Sequence, residues 1–237
     1  MIVVFLAICF PSLLLSQSNA KLELIGSLDY SYRNHSNSGT VQSVRSSEIG
    51  KLNYHFDINY HQKLKEKLWL KIGLGFASMG YKTKNKEIIG GHDGQGGFDP
   101  FLSTGIFLQS KYNYHFLKIP IALRYEFLQK KIKPFVEIGL TTKYYLQSVY
   151  SFFKNGDEVG SSKAREKGIN QIQLAPTLGF GLSYEINEKW EIKAQPNFTY
   201  HLSKIYNESA DLSLSSGLVK EHLWRAGLAV GMRMNLK

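Results

Sequence analysis

The sequence predicts an all-β fold, an eight-stranded antiparallel up-and-down transmembrane β-barrel. Three observations carry it: eight segments alternate apolar and polar residues at period two, the connections between them alternate long and short, and the polar faces are crowded with Gly, Ala, Ser and Thr. Segments of roughly ten residues suit tilted strands that cross a bilayer, and an even count with every long connection at one end is the asymmetry of an outer-membrane barrel. A soluble lipocalin-like binding barrel alternates equally well but turns its apolar face inward. The small polar face seen here suits the narrow interior of eight strands, and nothing in a lipocalin calls for four long loops at one end.

The stretch Tyr112 to Phe127 sets the pattern, with Ile119, Ile121, Leu123, Tyr125 and Phe127 opposite Pro120, Ala122, Arg124 and Glu126. In chain order, Lys21 to Arg33 is the first strand, and its polar side holds Glu23, Ser27, Asp29, Ser31 and Arg33. After the polar stretch 34–47, Leu52 to His61 is the second strand and ends in the tight KLKEK turn. Leu68 to Ala77 is the third, followed by a long glycine-rich loop, Lys82 to Ser110. The Ile-Pro strand is the fourth, and an LQKK turn leads into the fifth, Val136 to Tyr144. A polar loop, Ser148 to Gly168, precedes the sixth strand, Ile172 to Glu185, and the short exit Asn187 to Lys189 leads to the seventh, Trp190 to Leu202. The loop Lys204 to His222 precedes the eighth, Gly227 to Leu236. Tyr30, Tyr32, Tyr54, Tyr144, Tyr184, Trp190, Tyr200 and Trp224 fall near strand ends, where amphipathic rings sit at headgroup level. Pro120, Pro134, Pro176 and Pro196 each remove a ladder donor and are expected at bulges or strand starts.

Residues 1–20, MIVVFLAICFPSLLLSQSNA, read as a secretory signal: an apolar run too short to span a bilayer, then small residues at the cleavage positions Ser18 and Ala20. Residues 21–237 form the barrel domain. Cys9 is the only cysteine and lies inside the signal, so the mature chain offers no thiol for a disulfide, a metal or nucleophilic catalysis. The net charge of +10 comes without a dense basic helix or a nucleic-acid motif, so nucleic acid is not an expected partner.

The succession FLKIPIALRYEF, KPFVEIGLTTKYY, APTLGFGLSYEI, WEIKAQPNFTYHL and RAGLAVGMRMNL resembles the PorT-like outer-membrane β-barrel proteins of Bacteroidetes, over most of the mature chain. The Ile-Pro strand is the most specific piece. The resemblance implies an eight-stranded outer-membrane barrel, with one branch of the family tied to protein secretion. The terminus Asn235-Leu236-Lys237 departs from the aromatic ending common in barrels.

On this register the inward acids include Asp29, Asp57, Glu126, Glu137, Glu185 and Glu191, and the inward bases include Arg33, Lys71, Arg124, Lys143, Lys193 and Arg233. Six against six reads as a structural network of ion pairs, because an unpaired buried charge costs several kcal/mol. Within it, Arg124 is expected to face Glu137 across the LQKK hairpin. His55 and His61 share a face but are about 20 Å apart, too far for a common metal. Ser, His and Asp are abundant without a spacing that selects a triad, so an outer-membrane barrel enzyme, protease or lipid-modifying, is the lesser alternative. The GGHDGQGGFDP stretch, Gly90 to Pro100, lacks calcium-loop spacing. The expectation is therefore a non-enzymatic protein with no catalytic residue, cofactor or metal, acting through its long extracellular loops in binding or in envelope or secretion-related assembly. The expected partners are outer-membrane lipid and lipopolysaccharide, with another envelope protein at the loops; the expected state is a monomer.

Overall fold

The computed structural model describes residues 20–36, 47–92, 97–205 and 220–236. Residues 1–19, on which the expected secretory signal falls, most of the connections before the second and last strands, and Lys237 lie outside the described residues. Among the described residues ten strands form: β1 (Ala20–Ser36), β2 (Glu48–Lys65), β3 (Leu68–Thr83), β4 (Lys86–His92), β5 (Phe98–Glu126), β6 (Ile132–Lys154), β7 (Asp157–Ala164), β8 (Ile172–Glu185), β9 (Trp190–Tyr200) and β10 (Lys220–Leu236). Eight of them, β1, β2, β3, β5, β6, β8, β9 and β10, close into an antiparallel ring, sealed where β10 pairs with β1 from Ala20↔Leu236 to Ser36↔Lys220. The predicted eight-stranded ring is therefore present.

The other two strands correct the sequence reading. Lys82 to Ser110 and Ser148 to Gly168, expected as loops, largely continue as sheet: β4 pairs on the upper half of β5, and β7 pairs on the upper part of β6. The cause is local. β6 and β7 are joined by Asn155-Gly156, both at positive φ (52° and 93°), the dipeptide that matches the twist of a two-residue hairpin. Asn155 Oδ1 also accepts the Phe107 amide of β5 at 2.7 Å, tying the hairpin to its neighbour. At the opposite end the connections are short. Glu126 N–H donates to Lys67 O at 2.8 Å, and Asn187 Oδ1 accepts the amides of Lys189 and Trp190, both at 2.9 Å.

The expectation for Pro120 and Pro196 is not met. Both sit mid-strand with no shift of register: the β3–β5 ladder stops at Ile72↔Ile121 and resumes at Gly75↔Lys118, and the β8–β9 ladder skips from Gly179↔Asn197 to Leu182↔Ala194. A missing donor opens a gap in one ladder while the side-chain alternation holds. Pro134 does lie near a strand start, whereas Pro176 lies inside β8, opposite Leu140 in an unshifted β6–β8 ladder, and precedes the first β8–β9 pair, Thr177↔Thr199. A register shift occurs instead in β2, where Gly50 to His55 spans five steps against four from Tyr81 to Ala77. There Ser31 Oγ of β1 reaches past β2 to the backbone of Gly80, donating to its carbonyl at 2.6 Å and accepting its amide at 3.1 Å.

Facing decides between the two barrel classes. Leu52 is 72% exposed, Leu28 68%, Ile138 63% and Phe180 62%, whereas Glu23, Arg124, Lys143 and Arg233 are fully buried. A soluble barrel would carry the reverse distribution, so the apolar band faces lipid. Aromatics border it. Tyr30 and Tyr32 cluster with Trp224 at the long-strand end, and Tyr184 and Trp190 lie under Lys131 and Lys189 at the short-turn end.

Candidate functional site inside the barrel

Period two aims every second residue of each ring strand inward, and the interior fills with charge at three levels. Nearest the short turns, Arg124 Nε donates to Glu126 at 3.1 Å and its guanidinium lies 3.5 Å from the Phe135 ring centroid. Arg233 bridges Glu126 at 3.3 Å and Glu191, while Ser183 Oγ accepts from both arginines. Lys21 also pairs with Glu191, and Lys133 joins Glu191 (3.1 Å) to Glu185 (2.7 Å) at the rim. At mid-height Glu23 meets Lys193 at 2.8 Å and His61 at 3.3 Å, Lys71 pairs with Glu137, and Lys118 meets Asp57 at 2.8 Å. Above these, Asp29 holds Arg225 at 2.9 Å and the His55 ring at 2.6 Å, and Lys143 Nζ lies 2.6 Å from His201 Nε2.

The ten residues expected in the network, Asp57, Lys71, Arg124, Glu126, Glu137, Lys143, Glu185, Glu191, Lys193 and Arg233, all occupy inward positions, with two corrections. First, Arg124 is opposite Glu137 in the register, but the charges go elsewhere: Arg124 leans along its own strand to Glu126, and Glu137 takes Lys71. A guanidinium on a long stem reaches the next inward residue as easily as the one across. Second, Lys143 meets no carboxylate among the described residues; its ammonium is held by His201 and the Met79 sulfur.

The expected balance of six acids and six bases also fails. Buried among the described residues are ten bases, Lys21, Arg33, Lys71, Lys118, Arg124, Lys133, Lys143, Lys193, Arg225 and Arg233, and seven acids, Glu23, Asp29, Glu48, Asp57, Glu126, Glu137 and Glu191. Lys118 and Arg225 escape the sequence reading because the strands carrying them are begun too late, at Ile119 and Gly227. Extending the alternation one or two residues back finds both.

An aromatic and aliphatic layer closes the long-strand end of the interior. Met79, Tyr81, Tyr114, Phe116, Tyr145, Ile169, Ile205 and Leu223 form one buried cluster. Beneath it a cavity of about 40 Å³ lies among His55, Asp57, Lys71, Lys118, Glu137 and Arg225, room for a few waters at most.

Ser27, Asp29 and His55 do come together, in an order that does not serve catalysis. Ser27 Oγ donates to Asp29 Oδ1 at 2.7 Å and His55 Nδ1 lies 2.6 Å from Asp29 Oδ2, so the carboxylate stands between hydroxyl and ring. A triad needs the ring in the middle to take the hydroxyl proton. In the GGHDGQGGFDP stretch, residues 93–96 lie outside the described residues; Asp99 Oδ1 accepts the Phe101 amide at 2.8 Å, a turn contact.

The profile of the outer membrane protein β-barrel domain matches residues 15–207, most of the chain. The chain belongs to that family. The match ends before β10, the strand that closes the ring. Membership implies the outer membrane as its location. No curated protein matches in sequence. Among solved structures, Neisserial surface protein A is 11% identical, with 92% of this chain and 97% of that one covered and a TM-score of 0.47. The outer membrane protein OprG of Pseudomonas aeruginosa is 13% identical over 93% and 98%, TM-score 0.41, and the outer membrane protease OmpT of Escherichia coli 9% identical over 93% and 98%, TM-score 0.40. These likenesses carry no argument about activity.

Proposed function

We propose that this family member is a non-enzymatic barrel of the PorT-like branch that acts through its extracellular extensions, in binding or in envelope or secretion-related assembly. The observation that carries the reading is the length of β5 and β6, 29 and 23 residues, where roughly ten cross a bilayer. The outward apolar run of β5 ends at Leu117, so its first half, with β4, the top of β6 and β7, stands as sheet beyond the lipid. Phe101 (86% exposed) and Ile89 (62%) lie on that sheet, apolar surface on a rigid base where recognition is commonly placed. The order Ser27–Asp29–His55 supports the non-enzymatic reading. Outer-membrane lipid and lipopolysaccharide are the proposed partners of the wall, another envelope protein is the proposed partner of the sheet, and the barrel is proposed to be a monomer.

The test is to replace the β4–β5 tip and the β6–β7 hairpin with short turns, keeping the ring strands, and to crosslink in intact cells. The barrel is expected to keep its heat-modifiable gel mobility and to lose its crosslinked partner. An undiminished crosslink in the folded deletion variant would show that the sheet is not the binding surface.

A further inference from the structure

Just above the apolar band, one side of the outer wall turns basic. On β5 the inward residues Phe116 and Tyr114 belong to the interior cluster and Tyr112 packs against it, so the alternate positions Leu117, His115, Asn113 and Lys111 face outward. His115 stacks on Phe76 of β3 at 5.5 Å, which marks the top of the apolar surface there. Lys111 then stands directly opposite Lys82 of β3, a like-charged pair that a ladder by itself disfavours. Lys51 of β2, from the strand's shifted segment, donates through Nζ to Asn113 Oδ1 and brings a third ammonium to the same place. On the other side Lys163 of β7 is opposite Val149, itself opposite Asn113. Among the described residues none of these four lysines forms an ion pair with a carboxylate, in contrast to most of the bases inside the barrel.

We propose that Lys51, Lys82 and Lys111, with Asn113 between them and Lys163 beside them, form a site on the outer wall for the phosphate of an outer-leaflet lipid headgroup. The inference deepens the reading of the wall as lipid-contacting, rests on the outer-membrane location and is independent of what the projecting sheet binds. Three lysines on adjacent strands with no carboxylate paired to them among the described residues favour an anion, and at this depth the anion at high local concentration is a headgroup phosphate. Ammoniums act on phosphate as point charges, and the Asn113 side chain keeps an amide N–H to donate to a phosphate or sugar oxygen. Lys111 Nζ lies 3.8 Å from the Phe153 ring centroid, which fixes one ammonium at the rim rather than leaving it to range through solvent.

The experiment uses the full mature barrel in phosphatidylcholine nanodiscs doped with bisphosphorylated lipid A or with the same lipid after phosphatase treatment. Retained lipid is read by native mass spectrometry. The wild type is expected to retain the phosphorylated form about tenfold better. The triple variant Lys51→Gln, Lys82→Gln, Lys111→Gln is expected to lose that preference, and the triple Lys→Arg variant to keep it. Heat-modifiable mobility checks that each variant is folded, and the single Lys82→Gln and Lys111→Gln variants, each expected to lose part of the preference, keep the question open to measurement if the triple does not fold. No preference in the wild type, or full preference in the folded Gln variants, overturns the site. Full displacement of the lipid by millimolar inorganic phosphate overturns the lipid headgroup as its occupant. The partner crosslink of the projecting sheet is a separate readout, so failure of either idea leaves the other standing.

Discussion

Arg124 and Glu137 face each other across β5 and β6, yet each is neutralised by a different partner, and this sets the expected mutational pattern. Arg124→Leu leaves Glu126 with Arg233 still beside it, so the loss should fall near the lower end of the roughly 3 to 5 kcal/mol typical for breaking a buried pair. The temperature at which the barrel unfolds in detergent, read by gel mobility, should drop. Adding Glu126→Gln should not recover the drop, because Arg233 still pairs with Glu126, and adding Glu137→Gln should deepen it, because Glu137 is needed by Lys71. Recovery through Glu137 would contradict the observed pairing. Lys143 makes the opposite case. It has no carboxylate partner among the described residues, so Lys143→Met should leave the unfolding temperature unchanged or raise it, whereas Lys71→Met should lower it by stranding Glu137. A fall for Lys143→Met comparable to that for Lys71→Met would mean that its contacts with His201 and Met79 stabilise as strongly as an ion pair.

Among the elements, the β6–β7 hairpin owes its shape to two residues. Gly156 sits at φ 93°, where a Cβ is strained, and Asn155 both adopts positive φ and holds the Phe107 amide. Gly156→Ala should loosen the hairpin by about 1 to 2 kcal/mol while the ring keeps its unfolding temperature. Hydrogen exchange along β7 reads the first effect and gel mobility the second; unchanged protection of the β7 amides would count against the turn as the organising feature. The hairpin is open to sequence reading, since Asn-Gly between FFK and DEV is a strong short-range signal. The β4–β5 extension is less so. Its glycines and polar residues resemble a loop, and only its partner strand reveals the pairing.

For the whole molecule, the charged interior and the layer above it predict a closed barrel. No steady conductance at the level of a water-filled porin is expected in planar bilayers, because a cavity of about 40 Å³ cannot hold a continuous column of water. Steady porin-like openings of the wild type would show that the interior rearranges in the membrane. Phe116→Ala with Tyr145→Ala thins the aromatic layer but leaves the Arg124, Glu126, Arg233 and Glu191 network in place, so that variant too should stay closed. The same inward charge and outward apolar band require insertion in the outer membrane, and recovery of folded protein in a detergent-free soluble fraction would be incompatible with it.

The strand class, the ring count, the short turns and which face of each ring strand meets lipid are legible in the sequence, because alternation at period two is local and survives even where Pro120 and Pro196 interrupt a ladder. The sequence also supplied most of the inward charges. Tertiary structure alone decided their partners, since ring closure brings Lys21 of β1 to Glu191 of β9, and Glu23 of β1 to Lys193, although each pair is about 170 residues apart in the chain. It decided as well that Lys51, Lys82, Lys111 and Lys163 from four strands share one patch of wall. Facing is a property of one strand, while pairing of charge depends on how strands are staggered around a closed ring.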